Sequence, residues 1–159
     1  MKDKHVFIDD QGVEWRRVWR APNAAMDTQI DPHSSKDFVE KTGVDLLAPA
    51  VGNLHGMLKN ASNPNLDIER IKAIRESAGV PLVLHGGSGI TDEDFQKAIQ
   101  AGISIVHINT AIRVAYREGL EETLEENPDE VAPYRFLKGG VEAMEEAVER
   151  YLKLFNFLD

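Results

Sequence analysis

A chain of 159 residues with 42% hydrophobic and 28% charged residues has the composition of one globular domain with a real core. A net charge of −9 and a pI near 5.0 argue against nucleic acid as a partner. Cysteine is absent, so disulfides and thiolate metal sites are excluded, and any metal must use histidine, carboxylate or carbonyl ligands. No apolar run has membrane-spanning length and no signal-peptide pattern is present, so no membrane and a cytoplasmic location are expected.

Residues 1–30 differ in pattern from the rest. Val6-Phe7-Ile8 and the segment from Val13 to Trp19 flank Asp9-Asp10-Gln11-Gly12, which reads as a hairpin turn. Both tryptophans lie in the second segment, suited to cover a sheet face or a partner surface. From Asp31 to Asp159 helical and strand patterns alternate. Ser34 is the expected cap of a helix running through Val39, with Asp37 as reciprocal partner and Thr42-Gly43 as its end. Asp45 to Val51 is an apolar run that reads as a buried strand.

Asn65 or Asp67 starts the next helix, whose Ile68, Ile71, Ile74 and Ala78 form one buried stripe before Gly79 stops it. Val80 to Leu84 is the second strand. Thr91 opens a capping-box-like helix with Phe95, Ala98 and Ile99 inward and Gly102 at its end. Ile103 to Val106 is the third strand. Helical spacing follows at Ile112, Ala115, Tyr116, Gly119 and Thr123. A last helix carries Val141, Met144, Val148, Tyr151, Leu152 and Phe155 on one face. The seven carboxylates between Glu118 and Glu130 read as a solvated helix end and loop.

Strands separated by helices should be parallel, with their C-terminal ends on one edge, where α/β folds place their chemistry. Three histidines stand at those ends: His55 in Gly52-Asn53-Leu54-His55-Gly56, His85 in Leu84-His85-Gly86-Gly87-Ser88-Gly89, and His107 before Ile108-Asn109-Thr110. His55 and His85, each followed by glycine, suit a zinc ion, since neutral imidazoles from separate strands can share one metal. The loop from Gly86 to Gly89 joins a strand to a capped helix and suits a phosphate, with Ser88 adding a hydroxyl. The alternative for this loop is a tight turn that needs glycine for geometry alone. His107 and Asn109, two apart, share one face of the strand. Arg113, one turn into its helix, reaches either an anion or a nearby acid such as Glu118. His5 and His33 read as surface histidines without a role. A closed (β/α)8 barrel takes ~250 residues, so three strand–helix units in 159 residues read as a half-barrel or a fragment.

From Asp31 to about Phe155 the chain resembles the class II, metal-dependent ketose-bisphosphate aldolases. The similarity is carried by Asp31-Pro32, the run from Phe38 to Asp45, the two His-Gly motifs and the run from Asn109 to Tyr116. The resemblance implies the C-terminal portion of a TIM (β/α)8 barrel, about three βα units plus a C-terminal helix. It implies His55 and His85 as two of three zinc-binding histidines, zinc or another divalent metal as cofactor, and a sugar bisphosphate, cleaved to dihydroxyacetone phosphate and glyceraldehyde 3-phosphate, as substrate. Gly56, Gly86, Gly87 and Ser88 match positions that hold the dihydroxyacetone-phosphate half. His107, Ile108, Asn109 and Thr110 match a second phosphate-contacting segment, with His107 and Asn109 as the candidate catalytic pair.

The chain also departs from that pattern. The position of His107 is usually asparagine, and Ile105 stands where lysine is common. The Asp-His-Gly motif that carries the family's first zinc histidine and its catalytic aspartate does not occur. Two readings follow: a zinc-dependent bisphosphate aldolase, whole or in part, or an incomplete half-barrel that binds sugar phosphate or a partner without catalysis. An open sheet edge predicts a homo-oligomer or a complementary N-terminal barrel half. Discrimination between fructose and tagatose bisphosphate is expected to rest on strands outside these units.

Overall fold

The computed structural model describes residues 6–8, 14–16, 30–54 and 64–158. His5, the turn from Asp9 to Gly12, Trp19, His55 and Gly56 lie outside the described residues. Strands β1 (Val6–Ile8) and β2 (Glu14–Arg16) pair antiparallel, with Phe7 opposite Trp15.

Helix α1 (Pro32–Thr42) begins earlier than its pattern predicts. Asp31, not Ser34, is the cap. Its carboxylate accepts from the Ser34 N–H at 3.0 Å. Pro32 explains the shift, because its fixed φ and missing N–H suit the first helical position and move the cap one residue before it. Asp37, the expected reciprocal partner, instead pairs with Lys41 at 3.1 Å. Gly43 ends the helix as expected.

The run from Asp45 to Val51 is not a full strand. It reduces to a single parallel bridge between Leu47 and Leu82, in which the Leu47 N–H donates to the Pro81 carbonyl (3.1 Å) and the Val83 N–H to Leu47 (2.8 Å). Pro49 has no N–H to continue the ladder. Helix α2 (Ile68–Ala78) is capped by Asp67 and buries Ile71, Ile74 and Ala78. Strand β3 (Leu82–Leu84) is buried on both faces and pairs parallel with β4 (Ile103–Val106). Between them α3 (Asp92–Gln100) starts at Thr91, whose side chain accepts from Asp94, and buries Phe95 and Ala98.

Helices α4 (Thr110–Glu126) and α5 (Pro133–Phe155) follow. The expected single apolar face of α5 divides. Tyr151 and Phe155 pack their rings on Phe95, at centroid distances of 6.1 and 5.1 Å, while Val141, Val148 and Leu152 stay exposed. The reason is that α3 and α4 together cover only part of that arc. Full burial of Phe95 contributes about 1.5–3 kcal/mol, and it fixes α3, the helix that leaves the glycine-rich loop. The core is one cluster running from Leu47 and Val51 through α2, β3 and α3 to Ile103. It is an α/β arrangement, with a short parallel sheet whose strand ends share one edge.

Candidate functional site

Both parallel strands deliver a histidine at their C-terminal ends, followed by a turn into a helix. Backbone hydrogen bonds lock the two turns together. The His107 N–H donates to the Leu84 carbonyl at 2.9 Å, extending the β3–β4 ladder, and the Gly87 N–H donates back to the His107 carbonyl at 3.3 Å. A side chain on Gly87 would not fit, since a Cβ there would stand 2.6 Å from Ile108 Cδ1 and 3.1 Å from the His107 oxygen. Glycine at this position therefore serves the close approach of the two loops, and its N–H is engaged within the fold.

Ser88 is buried, and its hydroxyl oxygen accepts from the Ala111 N–H at 3.0 Å. It thus satisfies one of the unpaired donors at the start of α4, whose own cap, Asn109, makes no side-chain capping bond. Ile108 turns its side chain towards the core beneath Gly87. His107 and Asn109 are both exposed at the strand end, as their two-residue spacing predicts.

The strand ends enclose a cavity of about 610 Å³ lined by His85, Gly86, Gly87, Ser88, His107, Ile108, Asn109, Thr110 and Arg113. Its size is that of a small-molecule site. The imidazoles of His85 and His107 stand side by side, with centroids 4.5 Å apart. Among the described residues no carboxylate lines the cavity, although the chain as a whole carries −9. Arg113 contributes the one fixed cation among the described lining residues. Its guanidinium is 3.5 Å from Thr110 Oγ1 and, among the described residues, pairs with no acid, Glu118 included. The anion-favouring helix end is that of α4, which has no acid in its first turn. The α3 end, which the glycine loop leads into, already faces its own Asp92, Glu93 and Asp94.

Histidine is the available metal donor here. Of the expected pair, His85 lines the cavity and is half-buried, while His55 lies outside the described residues. The loop leading to His55 is nevertheless tied to His85, because Asn53 Nδ2 donates to the His85 carbonyl at 2.9 Å. Imidazoles on strand-end loops beside a cavity fit a divalent metal in donor chemistry. Among the described residues no cluster of three histidines or carboxylates forms, and catalytic zinc usually takes three protein ligands. The bridging role of Asn53 and the capping role of Ser88 were not visible in the pattern. Each acts on a partner more than twenty residues away, for which local spacing carries no signal.

Comparison with known proteins gives a consistent result. The family model described as fructose-bisphosphate aldolase class-II matches residues 11–159, taking in most of the segment set apart at the N-terminus. A Bacillus subtilis (strain 168) protein named "Probable fructose-bisphosphate aldolase" is 41% identical over 126 residues, 79% of this chain and 44% of the relative. A fructose-bisphosphate aldolase of Staphylococcus epidermidis is 39% identical over 126 residues, 79% of this chain and 43% of the relative. The crystal structure of the YdjI aldolase from Escherichia coli K12 superposes with a TM-score of 0.67 at 37% identity, covering 80% of this chain and 46% of that one. The chain spans less than half the length of the relatives it matches.

Proposed function

This chain belongs to the class II fructose-bisphosphate aldolase family, and from that premise we propose that it supplies the metal and phosphate side of a site for reversible aldol cleavage of a ketose 1,6-bisphosphate. Its fold is then the C-terminal portion of a (β/α)8 barrel. The observation that carries the reading is the cavity at the C-terminal ends of two parallel strands, with no acid among its described lining residues and with two imidazoles and Arg113 around it.

In this reading His55 and His85 hold a divalent ion, zinc or a metal of similar ligand preference such as cobalt, manganese or iron. A metal held there would supply Lewis-acid chemistry to the ketose oxygen. The chain's own residues bind and orient the dihydroxyacetone-phosphate half. Arg113 and the start of α4 attract the phosphate, and Gly86, Ser88, Asn109 and Thr110 surround it. Gly56, outside the described residues, joins this set through the family motif. Gly87 and Ile108 serve mainly to bring the loops together. His107 and Asn109, exposed at the cavity wall, contact the reacting carbon unit.

The Asp-His-Gly motif is absent, and with it the third histidine and the aspartate that handles the aldehyde-side proton. The chain alone therefore binds zinc weakly and turns over little or no substrate. β4 carries no strand on its outer side among the described residues, and Ile105 on it is exposed. That edge suits a complementary barrel half or a second copy of the chain. The missing motif also favours a second reading, a sugar-phosphate-binding half-barrel without catalysis. No helix is long and apolar enough to cross a membrane among the described residues, and a cytoplasmic setting suits a sugar bisphosphate substrate.

Calorimetric titration of the zinc-loaded chain with dihydroxyacetone phosphate tests the shared part of both readings. Saturable binding that Arg113→Glu weakens is expected. Binding equal to that of a neutral triose would overturn the phosphate assignment.

A further inference from the structure

We propose that Asn53 is a positioning residue that sets the spacing between the two histidine-bearing loops and so governs metal affinity. The inference rests on the reading that His55 and His85 share a metal. Asn53 makes two side-chain bonds in opposite directions. Its Oδ1 accepts from the Val51 N–H at 2.9 Å, within its own loop, and its Nδ2 donates to the His85 carbonyl at 2.9 Å, across 32 residues. The amide therefore spans the two loops as a fixed spacer, and both of its bonds have good geometry.

The loop that holds this spacer is anchored from its other side as well. The Asp67 N–H donates to the Val51 carbonyl at 2.9 Å, and a Cβ on Gly52, at φ +102°, would stand 2.7 Å from the Asn65 oxygen. The Leu66 N–H in turn donates to the Asp94 carboxylate at 3.0 Å on α3. Val51 is fully buried. The chain is thus fixed at Val51 and Gly52, and Asn53 is the described side chain that then directs it towards His85. His55 follows two residues later in the sequence. Two ligands on separate loops share a metal only if the loops keep a set distance. Residues that orient ligands typically change metal affinity 10–100-fold when removed.

The test uses the full chain and needs no catalysis. Zinc affinity is read by competition with a chromophoric chelator, and cobalt(II) substitution reads the ligand field through its visible absorption. Asn53→Ala is expected to weaken zinc roughly 10–100-fold and to lower or shift the cobalt band, at a temperature where melting shows the variant folded. Asn53→Gln keeps both donor and acceptor on a longer side chain. It is expected to recover part of the lost affinity, and it replaces Asn53→Ala should that variant not fold. His85→Ala separates the two ideas. If the unaltered chain and His85→Ala bind zinc alike, the metal reading itself fails. If His85→Ala loses zinc while the folded Asn53 variants keep full affinity and an unchanged cobalt spectrum, only the spacer role of Asn53 is overturned.

Discussion

The imidazoles of His85 and His107 meet edge to face, with centroids 4.5 Å apart and planes at 88°. Parallel pairing of β3 and β4 makes this contact, because each strand ends one residue before its histidine and the His107 N–H continues the ladder to Leu84. The backbone thus fixes the spacing of the two rings, and the cavity inherits it. Replacing His107 with asparagine tests the division of labour. His107→Asn removes a ring contact of about 0.5–1.5 kcal/mol but keeps the backbone bonds to Leu84 and Gly87. A modest fall in the urea midpoint is expected, with zinc affinity preserved in a chelator competition.

Ser88→Ala removes the acceptor that satisfies the Ala111 N–H inside a buried loop. A donor left unpaired there costs about 1–3 kcal/mol. Denaturation should show that loss, and dihydroxyacetone phosphate binding should weaken with it. An unchanged midpoint would mean that water replaces the hydroxyl.

Arg113 is exposed at the cavity rim, so the attraction for phosphate proposed for it would be screened by salt. Arg113→Glu should weaken dihydroxyacetone phosphate binding by roughly tenfold at low ionic strength, about 1.4 kcal/mol, with a smaller difference at 0.5 M salt. Calorimetry at two salt concentrations measures both effects.

Asp67 gives a pH dependence with a defined sign. The Arg70 backbone N–H and then the Arg70 side chain donate to its carboxylate and hold its pKa below 3.8. A depressed folded pKa means that the stability it contributes is present above the unfolded value and is lost as pH falls through the folded one. Asp67→Ala, which removes the cap of α2, should cost about 1 kcal/mol at pH 7. The gap between variant and parent should narrow below pH 3.8 in chemical denaturation.

Much of this was legible from local pattern. Thr91, Asp67, Gly43 and Gly79 bound their helices where the residue types predict, since capping depends on neighbours within one turn. The parallel relation of β3 and β4 followed from the helix between them. Local pattern failed where a distant or covalent constraint decided the outcome. Pro32 moved the α1 cap to Asp31, and Pro49 cut the expected strand to one bridge at Leu47. The apolar stripe of α5 was visible, but which part of it is covered depends on where α3 and α4 lie. At the site, the strand-end positions of His85, His107 and Asn109 were predictable from spacing. That Gly87 spends its N–H on the fold, and that Ser88 caps a helix beyond its own, depends on how two loops meet.

The central claim is that the chain holds the metal and phosphate side of an aldolase site and lacks the motif that completes it. The most direct test is chelator-sensitive cleavage of fructose 1,6-bisphosphate. The purified chain is assayed with zinc, alone and mixed with a separately expressed segment of the Bacillus subtilis relative comprising the part that this chain does not cover. Little or no cleavage by the chain alone, with cleavage appearing in the mixture and lost in His85→Ala, is the predicted result. Full chelator-sensitive turnover by the chain alone, or turnover in the mixture that survives His85→Ala, would contradict it.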